Sequence, residues 1–203
     1  MSAERRWFAS RFALLSVHLM SRRAIIAAVL IVVAAAAILL AMGRNPICTC
    51  GAIDLWVGGR DSPRTSQMIA DWYSLSHIVH GILFYAALWL VARRWPVEWR
   101  LLTALLIEAS WEVIENTPMV IDRYRTGTAA LGYVGDSVLN SVSDMLMMVA
   151  GFLVARKLPW WGSALLVLVL EVIPLLVIRD NLTLNVWMLL APDPRIAAWQ
   201  AGG

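Results

Sequence analysis

Long apolar runs separated by short polar stretches are the main pattern of this chain. Five runs have the length of about 20 residues at which a helix crosses the ~30 Å hydrocarbon core of a bilayer. They cover residues 24–42, 72–92, 99–120, 137–155 and 160–178. The pattern predicts an all-α fold, a polytopic bundle of five transmembrane helices.

Two apolar segments have a second interpretation. The run 24–42 could be a secretory signal, but it is longer than the usual ~7–15 residues, and a poor cleavage site follows it. We therefore expect a retained helix. The stretch 182–191 is too short to span and should lie at the interface or fold back. The predicted organisation is a basic cytoplasmic segment (1–23), a transmembrane domain (24–191) and a C-terminal tail (192–203).

Composition supports a membrane protein. Hydrophobic residues make up 60% of the chain and charged residues 15%, against about 45–50% and about 25% in soluble domains. Lipid can solvate the excess apolar surface, so the bilayer is the expected partner. The basic residues are scattered between apolar runs, which argues against nucleic-acid binding. No feature of the sequence identifies a protein partner.

The basic residues also predict an orientation. With five spans, the N-terminus and the second and fourth connections share a side, which carries ten basic and two acidic residues. The opposite side carries seven Arg and seven Asp. Positive charge marks the cytoplasmic face, so the N-terminus should be cytoplasmic and the C-terminus outside. Cys48 and Cys50 then lie outside, where they could be oxidised or free; a zinc site would need more ligands than this pair.

Ionisable residues recur inside three successive spans. Such groups cost several kcal/mol each unless they are paired or hydrated, which makes them candidates for a functional site. His77 and His80 open the second span and share a helix face. The alternative to a functional pair is a pair of inert, hydrogen-bonded histidines at an interface. The sequence does not favour either possibility.

The third span carries three acidic residues on one face. Glu108, Glu112 and Glu115 are spaced i, i+4, i+7, and Pro118 should end the helix soon after them. A solvated helix end could explain Glu115 but not Glu108, which is near mid-span. Three like charges this close cannot all stay ionised cheaply, so they need counter-charges, protons or a metal.

The fourth span repeats this arrangement with shorter side chains. Asp136, Asn140 and Asp144 are spaced i, i+4, i+8 and share a face. Asp136 is equally a candidate helix N-cap, whereas Asp144 is two turns inside the helix.

The alternating topology places these three polar faces in the same outer half of the bundle. We expect one polar pocket that opens outward, with Arg123, Arg125 and Arg179 near it as candidates for holding an anionic substrate. The candidate catalytic residues are His77, His80, Glu112, Glu115, Asp136, Asn140 and Asp144. The candidate metal ligands are His77, His80, Glu112 and Asp136. The set could bind a divalent ion such as zinc or iron, or transfer protons without metal, and the spacing does not decide between these chemistries.

Six runs of the chain resemble a bacterial multi-pass membrane family. They extend from Asn45 to Gly51, Asp71 to His77, Trp111 to Pro118, Asp122 to Arg125, Gly135 to Asp144 and Ile178 to Asn185. The family is uncharacterised family 0314, also called domain of unknown function 2585. The resemblance covers nearly all of the chain after roughly the first forty residues. It implies a bacterial inner-membrane location and no known activity.

The layout of the polar residues also resembles, more weakly, that of VanZ-like membrane proteins. These have a His early in one helix, a Glu in the next, and Asp-x-x-x-Asn with a later Gly in a third. The matching residues are His77, Glu108 or Glu112, Asp136, Asn140 and Gly151. This resemblance implies a shared helical core and adds no chemistry.

Three functions are compatible with these patterns. The first is a membrane-embedded enzyme acting on a lipid or cell-envelope precursor. The second is a non-catalytic scaffold or assembly factor in which the same residues lock the helices together through hydrogen bonds. The third is a small proton-coupled transporter, which the lack of an inverted repeat argues against.

Overall fold

A computed structural model describes residues 20–128, 130 and 132–202. Over this part of the chain all regular secondary structure is helical, apart from one isolated bridge between Val57 and Asp71. Most of the predicted basic segment 1–23 lies outside the described residues. The helices are α1 (Arg22–Ala41), α2 (Ser74–Val91), α3 (Val97–Glu115), α4 (Pro118–Gly127), α5 (Val138–Lys157), α6 (Trp160–Ile178), α7 (Leu182–Leu190) and α8 (Pro194–Gln200).

The long helices agree with four of the predicted spans. Among the described residues, α1, α2, α5 and α6 are both long enough and apolar enough to cross a membrane. The predicted span 99–120 is wrong at its end, because α3 stops at Glu115 and a separate helix begins at Pro118. Proline lacks the N–H that continues a helix but fits the first turn of a new one.

Close contact between α2 and α5 forms the centre of the bundle. A Cβ atom at Gly81 would overlap the backbone of Met148 and Phe152, and one at Gly151 would overlap the backbone of Ile78. Small residues let membrane helices approach to backbone contact. This contact fixes α2 against α5, the most buried of the four candidate spans.

The bundle has an apolar half and a polar half. Beside the polar half, α3 and α5 bury a hydrophobic cluster with α1, and Tyr85 of α2 stacks edge-on against Phe152. The cluster consists of Ala35, Leu101, Ala104, Leu105, Ala109, Met145, Met148 and Phe152. Towards the C-terminal end of α3 and the N-terminal end of α5, these apolar side chains give way to carboxylates.

Loops and short helices cover the polar half, which we call the capped end of the bundle. The first four N–H groups of a helix have no partner within it, and at α5 the connection between α1 and α2 satisfies several of them. Val138 N–H donates to Asn45 (2.9 Å), and Leu139 N–H donates to Pro46 (3.1 Å). The same connection contains the disulfide between Cys48 and Cys50, which decides between the oxidised and free forms left open by the sequence.

Helix α7, within the stretch 182–191 predicted to lie at the interface or fold back, packs against α4 and has its first turn capped by α6. Glu171 accepts hydrogen bonds from the backbone N–H groups of Leu182 (3.1 Å) and Thr183 (3.0 Å), and so caps the first turn of α7. The Glu171 carboxylate is therefore bonded to the start of α7 and not to the polar residues of the other spans. The predicted tail 192–203 contains α8, where Gln200 is buried against the capped end.

The glycine contact leads to a prediction for stability. Gly151→Ala would force α2 away from the backbone of α5, because the overlapping atoms belong to main chain and not to a flexible side chain. We expect a loss of at least about 1–3 kcal/mol, the usual cost of overpacking. Thermal unfolding in detergent would measure it.

Gly162→Ala in α6 is the matched control, since a Cβ there meets its nearest atoms, in Pro159, at 3.4 Å. Its unfolding temperature should equal or slightly exceed that of the wild type, because alanine has the higher helix propensity. Equal stability of the two variants would contradict the proposed role of the contact.

Candidate functional site

The polar residues of three helices meet beneath the capped end. His77 and His80 come from the first two turns of α2, and Glu108, Glu112 and Glu115 from the last two to three turns of α3. The connection before α5 and its first two turns contribute Asp136 and Asp144. We call these seven residues the His/carboxylate cluster. The expected convergence of the three polar faces is therefore present.

Glu108 holds both histidines. Its Oε1 lies 2.5 Å from Nδ1 of His77, and its Oε2 lies 3.1 Å from Nδ1 of His80. The Glu108 side chain is 0% exposed, so these contacts are shielded from solvent. The bond through Nδ1 orients the His77 ring and leaves its Nε2 on the side of Asp144, 3.8 Å from Oδ2.

Glu112 and Asp144 are buried but incompletely bonded. Glu112 is 1% exposed and Asp144 is 5% exposed. Glu112 Oε1 and Asp144 Oδ1 have no hydrogen-bond partner among the described residues. Most buried polar atoms in proteins are bonded, and an exception usually marks strain, a catalytic role or an absent ion or water.

Asp136 is held from two sides at the rim of the cluster. Its Oδ2 accepts hydrogen bonds from Asn116 Nδ2 (2.8 Å) and Tyr133 OH (2.9 Å), and its backbone N–H donates to Asn116 Oδ1 (2.7 Å). Ser137 is the N-cap of α5, accepting from Asn140 N–H (3.1 Å). Asp136 is therefore not the cap, and burial raises the pKa of its carboxyl group.

An inner cavity of about 70 Å³ borders the cluster. His77, His80, Glu115, Asp136 and Asp144 line it, together with Trp111, Tyr124 and part of α7. A larger outer cavity of about 780 Å³ lies between the connections of the capped end. Ser66, Tyr73, Ala130 and Tyr133 line both cavities. These residues form the partition between the cluster and the outer surface of the cap.

The other predicted site residues lie at positions where they hold the cap together. Asn140 donates from Nδ2 to the carbonyl of Met68 (3.0 Å) and is not among the residues that line the inner cavity. The three arginines each donate to a backbone carbonyl. The pairs are Arg123 with Leu189 (2.7 Å), Arg125 with Tyr133 (2.5 Å) and Arg179 with Trp199 (2.8 Å).

Sequence reasoning missed three residues that organise the cluster. Glu108 was assigned to the acidic stripe but not to the catalytic set, yet it bonds both histidines. Asn116 and Tyr133 orient Asp136. Asn116 lies in the family motif from Trp111 to Pro118, which could have drawn attention to it. Tyr133 lies in a connection with no helical pattern, and no sequence signal distinguishes it.

The cluster could hold a metal ion in several ways. Three groups of side chains each bring one ligand atom per residue within 4.8 Å of one another. The groups are His77, His80 and Glu108; His77, Glu112 and Asp144; and Glu112, Glu115 and Asp136. The predicted ligands His77, His80, Glu112 and Asp136 are all present, but they are distributed over these groups and do not form one set.

Comparison with known proteins places the chain in a family. Residues 39–202 match the model of a protein of unknown function, DUF2585. The UPF0314 protein of Paracoccus denitrificans is 54% identical over 163 residues, covering 80% of this chain and 84% of that protein. This chain belongs to the DUF2585 family.

Further members confirm this assignment, which the sequence motifs predicted. The UPF0314 protein of Sphingopyxis alaskensis is 54% identical, covering 82% of this chain and 88% of that protein. That of Rhizobium johnstonii is 47% identical, covering 97% of this chain and 92% of that protein. No solved structure is significantly similar to the chain.

The cap beside the site should make stability depend on pH. Asp180 is 0% exposed and accepts hydrogen bonds from Tyr73 OH (3.1 Å) and Gln200 Nε2 (3.1 Å). Burial raises the pKa of Asp180 to about 6. The folded state therefore disfavours the ionised carboxyl. Stability should fall as pH rises from about 4, the ordinary aspartate pKa, through about 6, and then level off.

Asp180→Asn should remove this part of the decline, which is on the order of 2–3 kcal/mol. Thermal unfolding of detergent-purified protein between pH 4 and 7 would measure it. Asp122→Asn, at an exposed aspartate of α4, is the control and should keep the wild-type profile. A wild-type profile for Asp180→Asn would contradict the assignment.

Proposed function

We propose that this protein is a five-span bacterial inner-membrane enzyme whose His/carboxylate cluster faces outward and acts on a lipid or cell-envelope precursor. The observation that carries the proposal is that Glu112 and Asp144, both buried, each have a carboxylate oxygen with no hydrogen-bond partner among the described residues, and that Asp144 lines the inner cavity. Each further element of the proposal has its own support.

The five-span topology depends on α3. This helix has 19 residues, about 28 Å of rise, and carries five charged residues, which lower its hydropathy. Glu108 and Glu112 are buried among the other helices and do not face lipid. A helix that hides its charges inside the bundle can cross the bilayer. The excess of basic residues on the predicted N-terminal side supports a cytoplasmic N-terminus.

The incomplete hydrogen bonding favours an enzyme over a scaffold. In a scaffold, polar side chains between helices stabilise the bundle by satisfying one another. Asn116, Asp136 and Tyr133 do so, but Glu112 and Asp144 each have an oxygen that finds no partner in the part of the chain that the structure describes. An unpaired buried polar group costs about 1–3 kcal/mol. Its retention is typical of a group that receives a proton, an ion or a substrate.

The roles of individual residues follow from their contacts. Glu108 orients His77 and His80, which line the inner cavity and serve as acid–base groups or as metal ligands. Glu112, Glu115, Asp136 and Asp144 supply negative charge that, within the described residues, no lysine or arginine compensates. We assign a divalent metal ion as the compensating cofactor.

The depth of the cluster suits a substrate in the outer leaflet. Glu112 and Asp144 lie only one to two turns inside the ends of α3 and α5, within about 10 Å of the capped end. If α3 and α5 cross the bilayer, this depth lies in the outer part of the hydrocarbon core, just beneath the lipid head groups. Arg123 and Arg125 lie on α4 at the same end and provide positive charge for an anionic head group, as does Arg179 at the end of α6.

Substitutions that preserve shape would test the enzymatic role. We expect His77→Gln, Glu112→Gln and Asp136→Asn to insert normally but to lower activity by roughly 10²–10⁴-fold, the usual contribution of an acid–base group. The variants would be expressed in a bacterial strain lacking its own copy of the gene. Immunoblotting would measure protein in the membrane, and mass spectrometry would measure lipids and envelope precursors.

Glu171→Gln is the matched control, because Glu171 is also a carboxylate within a predicted span but caps α7 outside the cluster. It should restore the wild-type lipid and precursor profile. If the cluster variants fail to accumulate while Glu171→Gln accumulates, the scaffold function is favoured. If they restore the profile, the cluster has no catalytic role.

Reporter fusions would test the topology. A reporter after Arg94, between α2 and α3, should be cytoplasmic, and one after Arg125, in α4, should be outside. The physical reason is that α3 must cross the bilayer between them. Finding both reporters in one compartment would contradict the five-span arrangement.

A further inference from the structure

We propose that the His/carboxylate cluster binds two divalent metal ions, with Glu112 as the bridging ligand. The first ion is held by His77, Glu112 and Asp144, and the second by Glu112, Glu115 and Asp136. The catalytic purpose of these ions rests on the proposed function, whereas their binding rests on the side-chain geometry alone.

The hydrogen bonds divide the cluster into a satisfied part and an unsatisfied part. His77, His80 and Glu108 contact one another at 2.5–3.2 Å, which completes the hydrogen bonding of Glu108. The unbonded oxygens both lie in the remaining set, on Glu112 and Asp144. We therefore place the ions among the four remaining carboxylates, with His77 contributing its second ring nitrogen, and assign Glu108 a supporting role.

The contacts of His77 are those of a histidine that binds a metal through one ring nitrogen and a carboxylate through the other. Metal-ligating histidines usually donate their other ring N–H to a carboxylate or carbonyl. Here Nδ1 contacts Glu108 (2.5 Å), and Nε2 faces Asp144 Oδ2 at 3.8 Å. That separation is too long for a hydrogen bond. It is close to the ~3.4 Å that two ligands about 2.1 Å from a tetrahedral ion would have.

Glu112 is the residue shared by the two unsatisfied groups. One carboxylate oxygen of Glu112 lies within 4.8 Å of ligand atoms of His77 and Asp144, and an oxygen of the same carboxylate lies within 4.8 Å of ligand atoms of Glu115 and Asp136. A carboxylate between two cation positions can serve both ions, and two-metal sites hold their ions only about 3.5–4 Å apart.

Charge balance favours two ions over one. Outside the group held by Glu108, the cluster has four carboxylates, Glu112, Glu115, Asp136 and Asp144. No described lysine or arginine pairs with them. Two divalent cations would neutralise four ionised carboxylates, whereas one would leave two buried negative charges. Mixed imidazole and carboxylate ligands suit zinc, iron or manganese.

Metal analysis of the full chain in mild detergent would test the proposal. The protein would be stripped with a chelator and reloaded separately with Zn²⁺ and Mn²⁺. We expect two equivalents per chain for at least one ion, measured by plasma mass spectrometry. We also expect a spin-coupled pair of Mn²⁺ ions in electron paramagnetic resonance if Mn²⁺ fills both positions.

Isosteric variants would assign the ligands. Asp144→Asn and Glu115→Gln should each bind about one equivalent, because each loses a ligand of one ion only. Glu112→Gln should lose both ions, and Glu171→Gln should keep both. A wild-type content of one equivalent or none would overturn the two-metal centre, and so would a Glu112→Gln variant that binds as much metal as the wild type.

The two proposals fail in different ways. If the wild type binds fewer than two ions but His77→Gln abolishes activity in cells, the enzyme stands and the two-metal centre is wrong. If two ions bind but the cluster variants still restore the lipid and precursor profile in cells, the metal is structural and the cluster has no catalytic role. Should a variant not fold, the stoichiometry and spin coupling of the wild type still decide the question.

Discussion

Backbone contact between α2 and α5 is the constraint on which the rest of the structure depends. Gly81 and Gly151 allow the two helices to touch where any side chain would separate them. This approach places His77 of α2 beside Asp144 of α5, with α3 completing the cluster through Glu108 and Glu112. Within the membrane, such close packing replaces the hydrophobic driving force that folds soluble proteins.

The bundle directs the ionisable side chains of α3 and α5 inward. Most exposed side chains of the candidate spans are apolar, while Glu108, Glu112 and Asp144 are nearly inaccessible. This arrangement keeps charge off the apolar surface but concentrates negative charge in one place. Two histidines do not balance five carboxylates, and Glu112 and Asp144 each have an oxygen with no hydrogen-bond partner among the described residues. Asp144, one of the two residues with an unbonded oxygen, lines the inner cavity together with both histidines, which is why we place the function there.

The cap has two consequences for the cluster. Its hydrogen bonds to the N-terminus of α5 hold that helix in register with the connection between α1 and α2. Its tyrosines, Tyr73 and Tyr133, stand between the inner and outer cavities. The family motif from Asn45 to Gly51 therefore has a structural explanation, because Asn45 and its neighbours accept the hydrogen bonds of α5. The motif from Gly135 to Asp144 serves both the cap and the cluster.

The sequence by itself determined the membrane class, the approximate limits of the long helices and the three polar faces that converge. These depend on local properties, namely apolar run length and helical periodicity, which are visible in one stretch of chain.

The sequence did not determine the break of the predicted third span after Glu115. A proline such as Pro118 is compatible either with the end of one helix or with the first turn of the next. Only the tertiary structure separated Asn140, bonded to Met68, from Asp144, although both share a helix face. It also revealed Glu108 as the partner of both histidines, which lie 28 and 31 positions away on another helix, and Tyr133 as a partner of Asp136 within one irregular connection. The first pairing depends on how helices rotate and dock against one another and the second on the path of the connection, and spacing along one helix specifies neither.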